Sequence, residues 1–307
     1  MTRTQGNNAA LKQGAVAPSA SVLDFEEVPV LVGAFRRMVR GLEFDVCEMA
    51  LTTYLCARAH GKPFTALPVF LVRGFHHGAV VTAPGSAVRS PADLEGRTVG
   101  VNRGYTVTTG VWARGVLQDE YGVDPDRVTW APSGDEHVEE YRPPANVRPL
   151  PPKSDPAGLV ASGDLAALVG VQPDPPDLVP LIPDPDEAGY AALRERGHYP
   201  INHLIVVRDD LLAAHPGLAA DLFAAFTESK TRYVDRLRRD AIADPTPTDV
   251  MHRRVMEITG ADPLPYGIAP NRAVLEELIR HATRQHILDR APPIEDLFAA
   301  GTHELTG

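Results

Sequence analysis

Short apolar, β-branched runs alternate with amphipathic stretches along most of the chain. The runs expected as strands are 43–46 (EFDV), 97–101 (RTVGV), 127–130 (RVTW), 165–171 (LAALVGV) and 201–207 (INHLIVV), because branched and aromatic side chains suit a pleated surface. Between them, Leu51, Tyr54 and Leu55 follow helical spacing, and Gly61 stands where such a helix would stop. Ser90, Pro91 and Asp93 read as an N-cap, a first-turn proline and an acidic first turn. A helix is expected over 105–121, ended by Gly122. Leu222, Phe226, Tyr233 and Leu237 mark another over 216–239, and Val274, Leu275, Leu278, Ile279 and Ala282 a last one over 270–288. This alternation predicts an α/β fold with largely parallel sheets. Of the 29 prolines, 14 lie between Ala131 and Pro200, which predicts a loop-rich region without long helices.

The layout predicts two α/β lobes with a cleft between them. Residues 1–85 and 205–307 form the discontinuous first lobe and 86–204 the second. Ligands of open α/β folds gather at the carboxyl ends of strands and between lobes. Histidines fall near both expected crossings, at 76–77 and at 203.

Composition narrows the partners. Among 307 residues, 44% are hydrophobic and 23% charged, an ordinary globular balance. The net charge of −10, with no basic cluster, argues against nucleic acid and against docking on anionic membranes. No apolar run is long enough to span a bilayer. The polar N-terminus does not show the apolar core of a secretory signal, so a cytoplasmic location is expected. Cys47 and Cys56 make no CxxC or zinc pattern. The sequence is compatible with a homo-oligomer and does not specify one.

The chemistry starts with Pro68–Ala83, PVFLVRGFHHGAVVTA. Read as a strand, neighbouring His76 and His77 point to opposite faces, so only one serves a cleft. Imidazole titrates near neutrality and suits proton transfer. Tyr105, Thr106, Thr108 and Thr109 crowd the start of the 105–121 helix, where free N–H groups and the dipole favour a carboxylate or phosphate; simple capping is the alternative. Gln172 stands at the mouth of the 165–171 strand, where a plain turn at Pro173 reads equally well. His203 sits within an apolar run, as a core residue or a functional one. His281, Gln285 and His286 read as a solvated helix face. There is no HxH or HExxH spacing, so no metal is expected, and no GxSxG, GxxxxGK[ST] or GxGxxG motif, so no cofactor is expected.

FDVCEMALTTYL, LPVFLVRGFHHG, VWARGVLQDEYGVDP, HLIVVRDDLLAAHPGLAADLFAAF and DPLPYGIAPNR together resemble the 4,5-dihydroxyphthalate decarboxylase family, from about Asn7 to the C-terminus. The resemblance implies a two-lobed fold like that of type II periplasmic solute-binding proteins. Against family phrases close to FDVSEMS and FRHS, Glu48 and His77 match. Cys47 and Ala50 replace serines, and His76 replaces an arginine. It implies a decarboxylase of a hydroxylated aromatic acid in aromatic-compound catabolism, with a small aromatic carboxylate as its substrate. Ring-carbon protonation would precede loss of CO2. His77, His203 and Glu48 are the candidate catalytic residues. Asn7, Thr52, His76, Arg103, Tyr105, Thr106, Thr108 and Gln172 are the candidate substrate contacts. A solute-binding protein for an organic anion and a biosynthetic enzyme acting on a different acid are the alternatives.

Overall fold

The computed structural model describes residues 1–307 except Pro29 and residues 172–176. The described strands are β1 (Val46–Ala50), β2 (Phe64–Arg73), β3 (Val80–Thr82), β4 (Thr98–Val101), β5 (Thr129–Pro132), β6 (Ala167–Val169), β7 (Val179–Pro180) and β8 (Ile201–Arg208). The helices are α1 (Ala9–Lys12), α2 (Leu31–Gly41), α3 (Leu51–Ala59), α4 (Thr108–Tyr121), α5 (Pro156–Ser162), α6 (Pro185–Arg196), α7 (Asp209–Ala214), α8 (Leu218–Arg238), α9 (Pro247–Thr259) and α10 (Arg272–Arg284). None of these helices is long and apolar enough to cross a membrane.

The chain divides into two compact units. The first holds Met1–Arg73, Ile201–Glu276 and Pro292–Gly307; the second holds Gly74–Pro200 and Glu277–Ala291. The changes of unit come at 73/74 and 200/201 rather than near 85 and 205. The C-terminal third is also split, because the residues from Glu277 to Ala291 pack with the second unit.

In the first unit the sheet order is β1-β8-β2, and both pairings are antiparallel. The expectation of largely parallel sheets is corrected here. β1 and β2 do run the same way, joined through α3, as strand–helix alternation implies. The returning β8 inserts between them in the opposite direction, and strand direction leaves no trace in hydrophobic periodicity. The second unit's sheet is mixed, in the order β5-β4-β6-β3-β7, with β4 parallel to β5 and β6 and with β3 antiparallel to β6 and β7.

Local sequence explains most elements. α8 buries Leu222, Phe226, Tyr233 and Leu237 along one face, as the spacing predicts. Ser90 and Asp93 form a reciprocal capping box on a 3-10 turn over Pro91–Leu94. Gly122 ends α4 in the left-handed region (φ +68°), where a Cβ would be strained. Two differences have clear causes. β1 covers 46–50 rather than 43–46, because a charged residue, Glu48, is fully buried inside it. The proline-rich segment does hold a 12-residue helix, α6, since Pro185 occupies its first turn, where a missing N–H costs nothing. α2 and α9 were not anticipated; α9 starts with a capping box of Thr246 and Asp249.

Candidate functional site

The ends of β1 and β2 meet the start of β8. Its second strand residue beyond Ile201, His203, lies opposite Ala50 on β1 and Val72 on β2. Two residues before Ala50, on the same face of β1, Glu48 carries the partner carboxylate. The His203 Nδ1–H donates to Glu48 Oε1 at 2.7 Å, and the Arg3 backbone N–H donates to Glu48 Oε2 at 2.9 Å. Glu48 has no exposed surface, whereas the His203 side chain is 16% exposed. Burial opposes ionisation of Glu48. The hydrogen bond and charge of His203 and the Arg3 N–H outweigh it and hold the carboxyl below its ordinary range. Phe35 on α2 meets the imidazole edge-on at 5.3 Å. The ring is thus fixed through Nδ1, which leaves Nε2 for proton transfer.

Other expected residues lie at the same strand ends. Asn7 is buried and donates through Nδ2 to the Leu71 carbonyl at 2.8 Å. Thr52 is buried in the first turn of α3, directly after β1. Arg73, the last residue of β2, donates to the Asn271 side chain and is also buried. The sequence reading passed over Arg73 and Asn271, although Arg73 stands only three residues before the histidine pair. Cys47 offers no nucleophile, because burial pushes its thiol far up.

In the second unit, His76 and His77 lie outside any strand. β2 has ended, and His77 begins a 3-10 turn over His77–Ala79. The opposite-faces expectation is therefore corrected: both imidazoles are buried. The His77 Nε2–H donates to the Glu120 carboxylate at 3.0 Å, and Glu120 also accepts from Arg196. Around Trp112 stand His76, stacked at 6.3 Å, and His198 and His281, edge-on at 5.5 and 5.7 Å. His198 donates through Nδ1 to Glu277 at 3.0 Å. Glu277 and Glu120 are both held below the ordinary carboxylate range. Burial works against this, and the neighbouring imidazoles and Arg196 prevail.

His281 and Gln285 are buried, not a solvated face; only the His286 side chain is exposed. Gln285 accepts from Arg114 and donates to the Val111 carbonyl. The missed signal was present: 281 and 285 continue the buried stripe of Val274 and Leu278 at helical spacing. Gly115 on α4 makes room, since a Cβ there would fall 2.6 Å from the His281 ring. Ligand atoms of Asp119, Glu277 and His281 lie within 4.8 Å of one another. A cation there would compete with Arg196, Arg280 and Arg284, which already pair with these carboxylates.

The expected anion site at the start of α4 is filled from within. Glu136 accepts from the Tyr105 N–H (2.5 Å), the Thr106 N–H (3.1 Å) and the Thr106 hydroxyl (2.6 Å). The donors thus form a carboxylate cradle, as their type predicts, but the carboxylate is the chain's own. Arg114, buried beneath, lies 4.0 Å from the Tyr105 ring centre. Thr108 is buried in the first turn of α4. Arg103 is exposed at φ +68°, and its backbone N–H donates to Ser133 Oγ. Gln172 lies outside the described residues. Of the expected set, then, Glu48 and His203 are in direct contact, Tyr105 and Thr106 share one carboxylate, and His77 pairs with Glu120.

No protein-family model matches the chain. It is 28% identical over 305 residues to 4,5-dihydroxyphthalate decarboxylase of Comamonas testosteroni, covering 92% of this chain and 88% of that one. It is 32% identical over 163 residues to 4,5-dihydroxyphthalate decarboxylase of Pseudomonas putida, covering 50% of this chain and 60% of the relative. Among solved structures, the desulfurization enzyme DSZB matches with a TM-score of 0.50 at 16% identity, over 88% of this chain and 91% of that one. The alkanesulfonate-binding protein SsuA from Xanthomonas axonopodis pv. citri matches with a TM-score of 0.45 at 14% identity, over 89% and 86%. The chain shares its α/β fold with DSZB. It is a distant homologue of 4,5-dihydroxyphthalate decarboxylase.

Proposed function

From this kinship to decarboxylases, we propose that the chain is a carboxy-lyase acting on a hydroxylated aromatic carboxylic acid of the 4,5-dihydroxyphthalate type. The observation that carries the reading is the His203–Glu48 pair: an imidazole open on one side and fixed on the other by a buried, ionised carboxylate. The reaction converts an aromatic carboxylate and one proton into the arene and CO2. A hydroxyl para to the departing carboxylate feeds electrons to the ring carbon that bears it. His203, as imidazolium, delivers its Nε2 proton to that carbon. The bond to the carboxylate then breaks, its electron pair restores the aromatic ring, and CO2 leaves. Glu48 acts through His203: it fixes the ring and stabilises the imidazolium before transfer. Asn7, Thr52 and Arg73 are the proposed substrate contacts around it, with Arg73 a cation suited to a carboxylate.

His77 takes a different part in this reading. Its ring has no exposed surface and its Nε2 proton is engaged by Glu120, so it serves the buried network of the second unit rather than the ring carbon. The test is to incubate the protein with 4,5-dihydroxyphthalate and related hydroxybenzoates and to follow release of CO2 and formation of 3,4-dihydroxybenzoate. Turnover that disappears in His203→Gln supports the reading. Tight binding of every acid without turnover overturns it in favour of a capture protein.

A further inference from the structure

A cavity of about 480 Å³ opens in the first unit between the N-terminal segment and helices α8 and α9. It falls within the size range of small-molecule sites, and neither His203 nor Glu48 lines it. Its walls carry three kinds of group. Arg3 and Arg236 are exposed guanidiniums, and among the described residues neither side chain has a carboxylate partner within ion-pair distance. Asn7 is 2% exposed; its Nδ2 is committed to the Leu71 carbonyl, while its buried Oδ1 has no partner. The third is a buried relay of His252, Tyr233 and Asp249.

The relay fixes a tautomer. The Tyr233 hydroxyl has one proton, and it donates to Asp249 Oδ1. His252 Nδ1 lies 2.9 Å from the Tyr233 hydroxyl oxygen, so Nδ1 must itself be the donor and Nε2 an acceptor. Burial pushes the His252 pKa down to about 4, so the ring is neutral at physiological pH. The cavity therefore offers two cations, Arg3 and Arg236, and one acceptor, the neutral His252 imidazole. Such a set fits a molecule with a negative group at one end and a hydroxyl donor at the other.

We propose that this cavity is a second binding site, for a small hydroxylated carboxylate, with the carboxylate on Arg3 and Arg236 and a hydroxyl on His252. The site stands whether or not the chain is a decarboxylase. The experiment titrates the full chain with 3,4-dihydroxybenzoate, with benzoate and with catechol in parallel. Binding is read by calorimetry and by the imidazole resonances of His252. Saturable binding of 3,4-dihydroxybenzoate that shifts these resonances is expected, with benzoate and catechol each weaker. Arg236→Gln, an exposed change that spares the fold, should weaken binding about tenfold, the loss of one charge-assisted hydrogen bond. His203→Gln should leave this binding unchanged, whatever it does to turnover. Unmoved His252 resonances, full affinity in Arg236→Gln, or loss of the binding in His203→Gln would each overturn the proposal.

Discussion

The two units each hold a histidine–glutamate pair, and the pairs are built in opposite senses. In the first unit the carboxylate of Glu48 is sealed and the imidazole of His203 reaches outward, with side-chain exposures of 0% and 16%. In the second the imidazole of His77 is sealed and the carboxylate of Glu120 reaches outward, at 0% and 20%. Similar bond lengths thus serve different ends. A buried acid behind an open ring tunes a proton that can leave for a ligand. A buried ring behind an open acid holds a proton between two elements of the fold, 3-10 turn to helix α4. The sequence, which ranked His77 with His203, could not see this polarity.

The largest effect should come from His203→Gln, which keeps a polar side chain but removes the transferable proton. Decarboxylation is expected to fall by about 10²–10⁴-fold, the usual worth of a positioned acid, with the circular dichroism spectrum unchanged. Glu48→Gln is expected next, at about 10–100-fold. The imidazolium loses its counter-charge and the ring its fixed orientation; an unchanged rate would deny Glu48 its positioning role. His77→Gln should change turnover less than about threefold. It leaves Glu120 with Arg196 alone and should lower the melting temperature by a few degrees. Equal loss of activity in the His77 and His203 variants would erase the contrast between the two pairs.

A separate effect concerns stability and the His252 relay. In the unfolded chain this histidine titrates near its ordinary 6.5, and in the folded chain burial holds it to about 4. Between these values the unfolded state binds the proton and the folded state does not, so stability rises with pH across that window. The difference is on the order of 3 kcal/mol. Denaturant midpoints measured from pH 4 to 7 should therefore climb, and His252→Gln should flatten the climb. Asp249, also held low against the effect of burial by Tyr233 and Thr246, acts only below that window.

Much of the fold was legible because helices announce their buried faces. α3, α4, α8 and α10 lie where the spacing put them, and the Gly122 and Ser90 signals mark real ends. Strand direction was not legible, since β8 reverses the first sheet without altering its period. Polar residues in apolar runs were the second obstacle. Glu48 lies within β1, beyond the expected strand at 43–46, and its partner lies 155 residues away. Glu136 escaped notice altogether, having no local pattern; only the folded loop brings it to the Tyr105 and Thr106 donors. Site residues whose meaning is a distant contact can be located by type, but not assigned.

The Glu136 contact also sets a rule of exchange. A carboxylate tethered 30 residues from its donors is present at a high effective concentration, of the order of millimolar or above for a short connection. Any free acid seeking the same N–H groups must evict a resident that never diffuses away. Such a seat is suited to brief tenancy: visitors are held loosely, and the resident's return helps to expel them.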